Sequence, residues 1–365
     1  MPAEDNGSDR DIDLVLLTGA GASREFGAGG SKVPLMGDWV EPLFMKLASE
    51  GLSEITGLER TMSGPAFESR LGEFLRERQA FDLIKRLIEP SLKLPGASSS
   101  QGWVEPWYTQ VAGQLSRLDT LLAQSLYEQF ATNIDPRAAS QAYLGLFQSL
   151  GIAKGQSRVV LATTNYDLLA ESALLESGWL PDWGQPPGAL PGVRSESLAV
   201  DDLLGGIPRY VPVLHLHGRV GWFRRQDEII YAQGNTTYDA NFGSPVVVYP
   251  DPDKVYTAVP VIASIWQQFC QALDRAKRVL VLGHSLNDLA IVQQLSLRVH
   301  PRTRLALTVH CADDGTPESD PGSLNVRRLW ESEFVGAALI PIQFGGDSDL
   351  SAQGFQNWLD RALGP

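Results

Sequence analysis

Short runs of Val, Ile and Leu with little polar alternation recur along the chain, at Asp13–Thr18, Arg158–Thr163, Pro212–Leu216, Val246–Tyr249, Arg278–Leu282, Arg304–Val309 and Ala337–Gln343. Continuous apolar runs of this length predict strands covered on both faces, the environment of a parallel sheet sandwiched between helices. Between them the apolar positions recur at helical spacing, over Trp39–Glu50, Ala66–Glu89, Trp107–Asn133, Pro136–Leu150, Asp167–Ser177, Val261–Lys277 and Leu286–Val299. Strands alternating with helices predict an α/β fold, a Rossmann-like, doubly wound and mostly parallel sheet. Residues 36–150 break the rhythm with helical patterns and no strand, so they are read as a helical insertion subdomain. The whole of 1–365 is then one domain, with 151–345 supplying the remainder of the sheet core. Leu180–Gly192 and Arg224–Ser244 read as loops over one end of the sheet, and Pro90–Gly102 as a linker.

Composition narrows the function classes. With 43% hydrophobic residues, 365 residues can bury a substantial core. The net charge of −13 repels phosphate backbones and anionic headgroups, which argues against broad nucleic-acid binding. The cysteines, Cys270 and Cys311, form no C-x-x-C pair, so neither a disulfide framework nor a four-cysteine zinc site is expected. The polar start MPAEDNGSDRDID and the lack of a long apolar run lead to the expectation of a soluble, cytoplasmic protein without a membrane span.

Four stretches carry candidate chemistry. LTGAGAS, at Leu17–Ser23, ends the first predicted strand in a glycine turn of the kind that lets a pyrophosphate approach backbone N–H groups. Arg24 stands where the third glycine of G-x-G-x-x-G would be, and a plain strand-to-helix turn explains the pattern equally well. LATTNYD, at Leu161–Asp167, places an amide and a carboxylate two residues apart at a strand's C-terminal end, where open α/β sheets bind ligands; either Asn165 or Asp167 can instead cap the next helix. VLHLHG, at Val213–Gly218, puts His215 and His217 on one strand face, with His217 nearer the mouth and His215 suited to a buried structural role. No H-E-x-x-H or carboxylate cluster accompanies them, which argues against a metal. VLGHSLND, at Val281–Asp288, is a second glycine turn whose hydroxyl and carboxylate groups suit sugar hydroxyls; a capped helix start, with Ser285 or Asn287 as the cap, is the simpler alternative. Trp39, Trp222, Phe223 and Tyr249 are aromatics that serve either a ligand pocket or ordinary packing.

Taken together and in this order, GAGAS, TTNYD, HG and GHSLND resemble the Sir2 (sirtuin) family, in its prokaryotic Sir2-like branch. The resemblance spans residues 13–311 outside the insertion. It implies NAD as substrate, with its phosphates at Gly19, Ala20, Gly21 and Ser23 and its nicotinamide ribose at Asn165 and Asp167. It further implies His217 as the catalytic histidine beside Asn165, and the adenosine side of NAD at Gly283, Ser285 and Asp288. The two C-x-x-C pairs that hold zinc in protein-deacylating sirtuins are missing, and Gly27–Trp39 keeps only Pro34 of their G-I-P-x-F-R segment. The zinc-less branch looks like NAD-consuming effectors of bacterial antiphage defence, so the implied activity is hydrolysis of NAD+ to nicotinamide and ADP-ribose. The implied partners are further copies in a homo-oligomer and a defence protein such as a ring ATPase or an Argonaute-like sensor. An NAD-dependent deacylase or ADP-ribosyltransferase, and a non-catalytic NAD or ADP-ribose sensor, are the alternatives.

Overall fold

The computed structural model describes residues 11–24, 26–27, 33–92, 101–130, 134–182, 194–195, 210–225, 228–231, 238, 241, 243–249, 256, 260–310 and 321–342. The central runs form a 7-stranded sheet. In spatial order its strands are β11 (Ala338–Ile342), β10 (Arg304–His310), β9 (Arg278–Leu282), β1 (Leu14–Thr18), β2 (Val159–Thr163), β5 (Tyr210–His215) and β3 (Leu180–Asp182). Every neighbouring pair is parallel. The fold is the α/β, Rossmann-like one expected from the strand–helix alternation.

The pleat sends successive side chains to opposite faces, so each strand feeds two cores. Leu14, Leu16, Val159, Leu161, Val213 and Leu280 pack with helices α6 (Pro136–Ser149) and α7 (Leu169–Glu176). Val15, Leu17, Val160, Leu214, Val279 and Val281 pack with α8 (Pro260–Arg275), α9 (Leu289–Arg298) and α10 (Pro321–Ser332). This double burial is why the strands read as unbroken apolar runs. Helix α6 starts where the Asp135 carboxylate accepts the N–H groups of Arg137 and Ala138, with Pro136 supplying a preset φ in the first turn.

A third core lies beside the sheet. Helices α2 (Met36–Ser49), α3 (Ser53–Thr56), α4 (Gly64–Leu92) and α5 (Gln101–Phe130) follow β1 and the short α1 (Ala20–Ser23). Trp39, Phe67, Leu122 and Tyr127 pack there against Tyr166, Val220, Phe223 and Val247. The last three belong to an antiparallel 4-stranded sheet ordered β4 (Arg194–Ser195), β7 (Glu228–Tyr231), β6 (Gly218–Arg225) and β8 (Ser244–Val247).

This second sheet departs from the sequence reading. The Val246–Tyr249 run contributes to β8 and pairs antiparallel with β6 instead of joining the parallel sheet, because an apolar run records burial and not its partner. Strand β6 (GRVGWFRR) went unforeseen since two glycines and three arginines mask its alternation. Strand β7 lies inside the stretch read as the Arg224–Ser244 loop, and β3 inside Leu180–Gly192. Helix α10, PGSLNVRRLWES, hides a narrow apolar stripe in a polar sequence. Residues 93–100 of the linker, most of the two expected loops, Cys311 and Gln343 lie outside the described residues.

The order of the strands locates the crevice. From β1 the chain builds β2, then β3 and β5 on the same side, with β5 between β2 and β3, and crosses back to build β9, β10 and β11 on the other. The direction reverses between β1 and β9, and open α/β sheets bind ligands at the carboxyl ends of strands flanking such a switch point. All four sequence motifs sit at the carboxyl ends of β9, β1, β2 and β5. No helix among the described residues is long and apolar enough to cross a membrane.

Candidate functional site

The two glycine turns are packed backbone against backbone. Gly19 N–H donates to Leu282 O and Gly21 N–H to Gly283 O, each at 2.9 Å. A Cβ on Gly19 would stand 2.6 Å from His284 Cα, and one on Gly283 would stand 2.6 Å from the Gly21 carbonyl carbon. Gly283 also has φ +61, a left-handed backbone that L side chains rarely adopt. The glycines of both motifs are therefore required by the fit of one turn on the other. Ala20 is the exposed residue of the GAGAS turn.

The TTNYD segment is tied to that turn through one side chain. Asn165 is buried, and its Nδ2 donates to Gly19 O at 3.1 Å and to Ser23 Oγ at 2.7 Å. The Ser23 hydroxyl in turn hydrogen-bonds the Asp167 carboxylate, whose other bond comes from Leu169 N–H at 3.0 Å. Asn165 Oδ1 is buried with no hydrogen-bond partner. An acceptor stranded in that way costs about 1–3 kcal/mol until a donor reaches it. Burial pushes the Asp167 carboxyl above its ordinary range, partly offset by the bonds from Leu169 N–H and Ser23. Asn165 thus makes no helix cap; Asp167 takes the first-turn N–H of α7.

His217, just past β5, meets the segment that follows β9. Its Nε2 lies 3.1 Å from Asp288 Oδ2 and 3.0 Å from the Tyr256 hydroxyl, and Tyr256 itself donates to Asp288. The His217 ring stacks on Tyr256 at 5.8 Å and tilts against Tyr166 at 6.4 Å. The Asp288 Oδ1 atom accepts from Ala290 and Ile291 N–H, making this residue the cap of α9 in place of Ser285 or Asn287. The following glycine is obligatory: Gly218 has φ +77, and a Cβ there would collide with the Val246 carbonyl of β8.

Asp288 is delivered by a strained turn. Among the described residues, Leu286 is the non-glycine one with positive φ, at 55°, and it is fully buried. The conformation is held by Asn325 of α10, whose Nδ2 donates to Ser285 O and Leu286 O at 2.9 Å each. His284 Nδ1 accepts Leu286 N–H at 2.9 Å from inside the turn.

Beneath the site lies a buried charge cluster. Glu171 Oε1 is 2.9 Å from His215 Nε2 and 3.1 Å from the Arg219 guanidinium, which lies over Trp222. Burial by itself would raise the Glu171 carboxyl, but His215 and Arg219 outweigh it and hold the group down at about 2. His215 is thereby a structural partner.

The structure joins Gly19, Gly21, Ser23, Asn165, Asp167 and Gly283 in one hydrogen-bonded and close-packed assembly, and pairs His217 with Asp288. Ser285 contributes its carbonyl to Asn325. Sequence reasoning missed Tyr256, Tyr166, Glu171 and Asn325. Tyr166 stands inside the TTNYD motif and Glu171 four residues beyond it; Tyr256 and Asn325 stand in stretches with no pattern to mark them. Trp39, Trp222 and Phe223 are fully buried packing residues. Among the described residues, no three His, Cys, Asp or Glu side chains are grouped to hold a metal ion.

No protein-family model matches the chain, and neither does any curated protein. Among solved structures, a mutant Sir2 homologue in complex with 2'-O-acetyl ADP ribose is 16% identical over 90% of this chain and 96% of that one, at a TM-score of 0.36. Sir2Tm bound to a propionylated peptide is 14% identical over 89% of this chain and 94% of that one, at 0.32. A Sir2–p53 peptide–NAD+ complex is 13% identical over the same shares, at 0.29. Likeness at this level assigns no chemistry to this chain.

Proposed function

We propose that the protein cleaves the nicotinamide–ribose bond of NAD+ and transfers the ADP-ribosyl group to water. The observation that carries this reading is the orphaned Asn165 Oδ1, a buried acceptor aligned by two bonds through its own amide nitrogen. Rigid hold on the nitrogen leaves the oxygen to take a bond from a ribose hydroxyl or from the attacking water. The cleavage develops positive charge at the ribose, which a preorganised acceptor and nearby carboxylate favour. His217 accepts the proton that water gives up as its oxygen bonds the ribose, and nicotinamide leaves as a neutral base. The Gly19–Ser23 turn, with Ala20 exposed, would take the phosphates, Asp167 the ribose, and Gly283 and Ser285 the adenosine side. The missing zinc cysteines favour water over an acyl-lysine as acceptor.

On the motif resemblance, we further assign the protein to the regulated effectors of antiphage defence that deplete cellular NAD+, acting in the cytoplasm as a homo-oligomer with a ring ATPase or Argonaute-like sensor. Unregulated NAD+ loss would starve the host cell, and helices α2 to α5 present the surface through which a partner would act.

The test is NAD+ loss with product identification for wild type, Asn165→Ala and His217→Ala, alone and with lysate of infected cells. The expected result is nicotinamide and ADP-ribose from wild type, and a fall of at least about 100-fold in each variant. NAD+ binding with no turnover under any condition would overturn hydrolysis in favour of a sensor. Stoichiometric labelling of a protein would favour ADP-ribosyl or acyl transfer.

A further inference from the structure

A carboxylate can only accept hydrogen bonds, so the 3.1 Å contact between Asp288 Oδ2 and His217 Nε2 puts the proton on Nε2. Asp288 is itself fully committed. Its Oδ1 accepts two backbone N–H groups of α9, and its Oδ2 accepts the Tyr256 hydroxyl as well as His217. Tyr256 is buried and stacked face to face on Trp266 at 4.0 Å, which fixes its hydroxyl over the pair. Burial and the neighbouring Asp288 push the Tyr256 hydroxyl far above its ordinary range, so it remains a donor at any working pH. Asp288, Tyr256 and Tyr166 face His217, with Glu68 of α4 and Tyr249 beyond Tyr166.

We propose that Asp288 and Tyr256 are positioning residues for His217: they lock the neutral ring in the Nε2–H tautomer, so that Nδ1 is the nitrogen that accepts a proton. The catalytic part of this inference rests on the NAD+ cleavage reading. It moves Asp288 from the adenosine side, where its motif suggested it, to the histidine. It also explains the strained Leu286, because the turn that places Asp288 at both the head of α9 and the edge of His217 passes through a left-handed residue. Before a proton is taken, Nδ1 is the base and Nε2–H is bonded to Asp288. Afterwards the imidazolium carries both protons beside the carboxylate, and the Asp288–Tyr256 bond is unchanged.

The experiment is nuclear magnetic resonance of the full chain labelled with ¹⁵N and ¹³C in its 5 histidines, His217 being assigned by the signal missing in His217→Gln. Wild type should show the Nε2–H tautomer when neutral. Asp288→Asn retains the helix cap, since Asn serves there as well as Asp. It should mix the tautomers and lower the His217 midpoint by about 1 unit or more. On NAD+, the same variant should lose about 10–100-fold in kcat, with little change in KM, and its pH profile should move by the same interval. Tyr256→Phe keeps the stack on Trp266 and should lose about fivefold in kcat, the worth of one hydrogen bond. A His217 tautomer and midpoint unchanged in Asp288→Asn would overturn the proposal, as would a lowered midpoint with undiminished kcat. If wild type does not cleave NAD+, the cleavage reading fails, while the resonance result still decides whether Asp288 sets the tautomer.

Discussion

Replacing Gly283 by Ala tests the claim that the two glycine turns are matched to each other. The new Cβ would stand 2.6 Å from the Gly21 carbonyl carbon and 2.9 Å from Ala22 Cα, all of it backbone with no side chain to swing aside. Ordinary contact lies near 3.5–4.0 Å, so the turns must part by about 1 Å. The left-handed φ of +61 adds about 1–2 kcal/mol for a side-chain-bearing residue. Overpacking adds about 1–3 kcal/mol, and stretching the Gly21 N–H to Gly283 O bond about 1 more. The expected loss is roughly 3–6 kcal/mol, read as a shift in the urea midpoint at constant slope. Gly151→Ala is the matched control: its φ is +63, yet nothing lies within 4 Å of its Cβ, so it should lose only about 1–2 kcal/mol. Equal losses at the two positions would refute the turn-on-turn argument and leave backbone conformation as the whole effect. If the matched turns also shape the phosphate end of the site, Gly283→Ala should weaken NAD+ binding while Gly151→Ala leaves it unchanged.

Two other perturbations follow from the buried polar groups. Glu171→Gln should destabilise the protein by about 3–5 kcal/mol at neutral pH, since it strips the counter-charge from the buried Arg219 guanidinium and weakens the bond to His215. Because Glu171 titrates at about 2 when folded, below its ordinary 4.5, its contribution is fully present above about pH 4.5 and fades as pH falls toward 2. The gap between wild type and variant in denaturant titrations should therefore close over that window; a constant gap would contradict the ion-pair account. Asn325→Ala removes the two bonds that hold the Leu286 turn and should lose about 2 kcal/mol. It should also lower kcat for NAD+ in the direction of Asp288→Asn, measured in the same steady-state assay.

Much of the fold was legible in the chain alone, for a local reason. Leu14–Thr18, Val159–Thr163 and Arg278–Leu282 are buried on both faces, and double burial writes itself into consecutive residues. The four motifs were legible because each ends such a strand, where glycine and short polar residues stand out against the apolar run. The antiparallel sheet was not, because Gly218–Arg225 forms a strand only by virtue of β7 and β8 lying beside it.

Sequence determined which residue types stand at the mouth of the sheet; the tertiary structure decided what each of them does there. That Asn165 reaches Ser23 across 142 positions, with one oxygen left over, follows from β1 and β2 being neighbours in register. That Gly19 and Gly283 must both be bare follows from β9 lying on the other side of β1. Tyr256 carries no mark in the sequence, and Asp288 reads there as a group for the adenosine side of NAD. Their roles arise from a hydrogen-bonding geometry assembled from segments that meet only when the chain crosses back over the sheet, and periodicity along a chain records burial, not the identity of the group brought opposite.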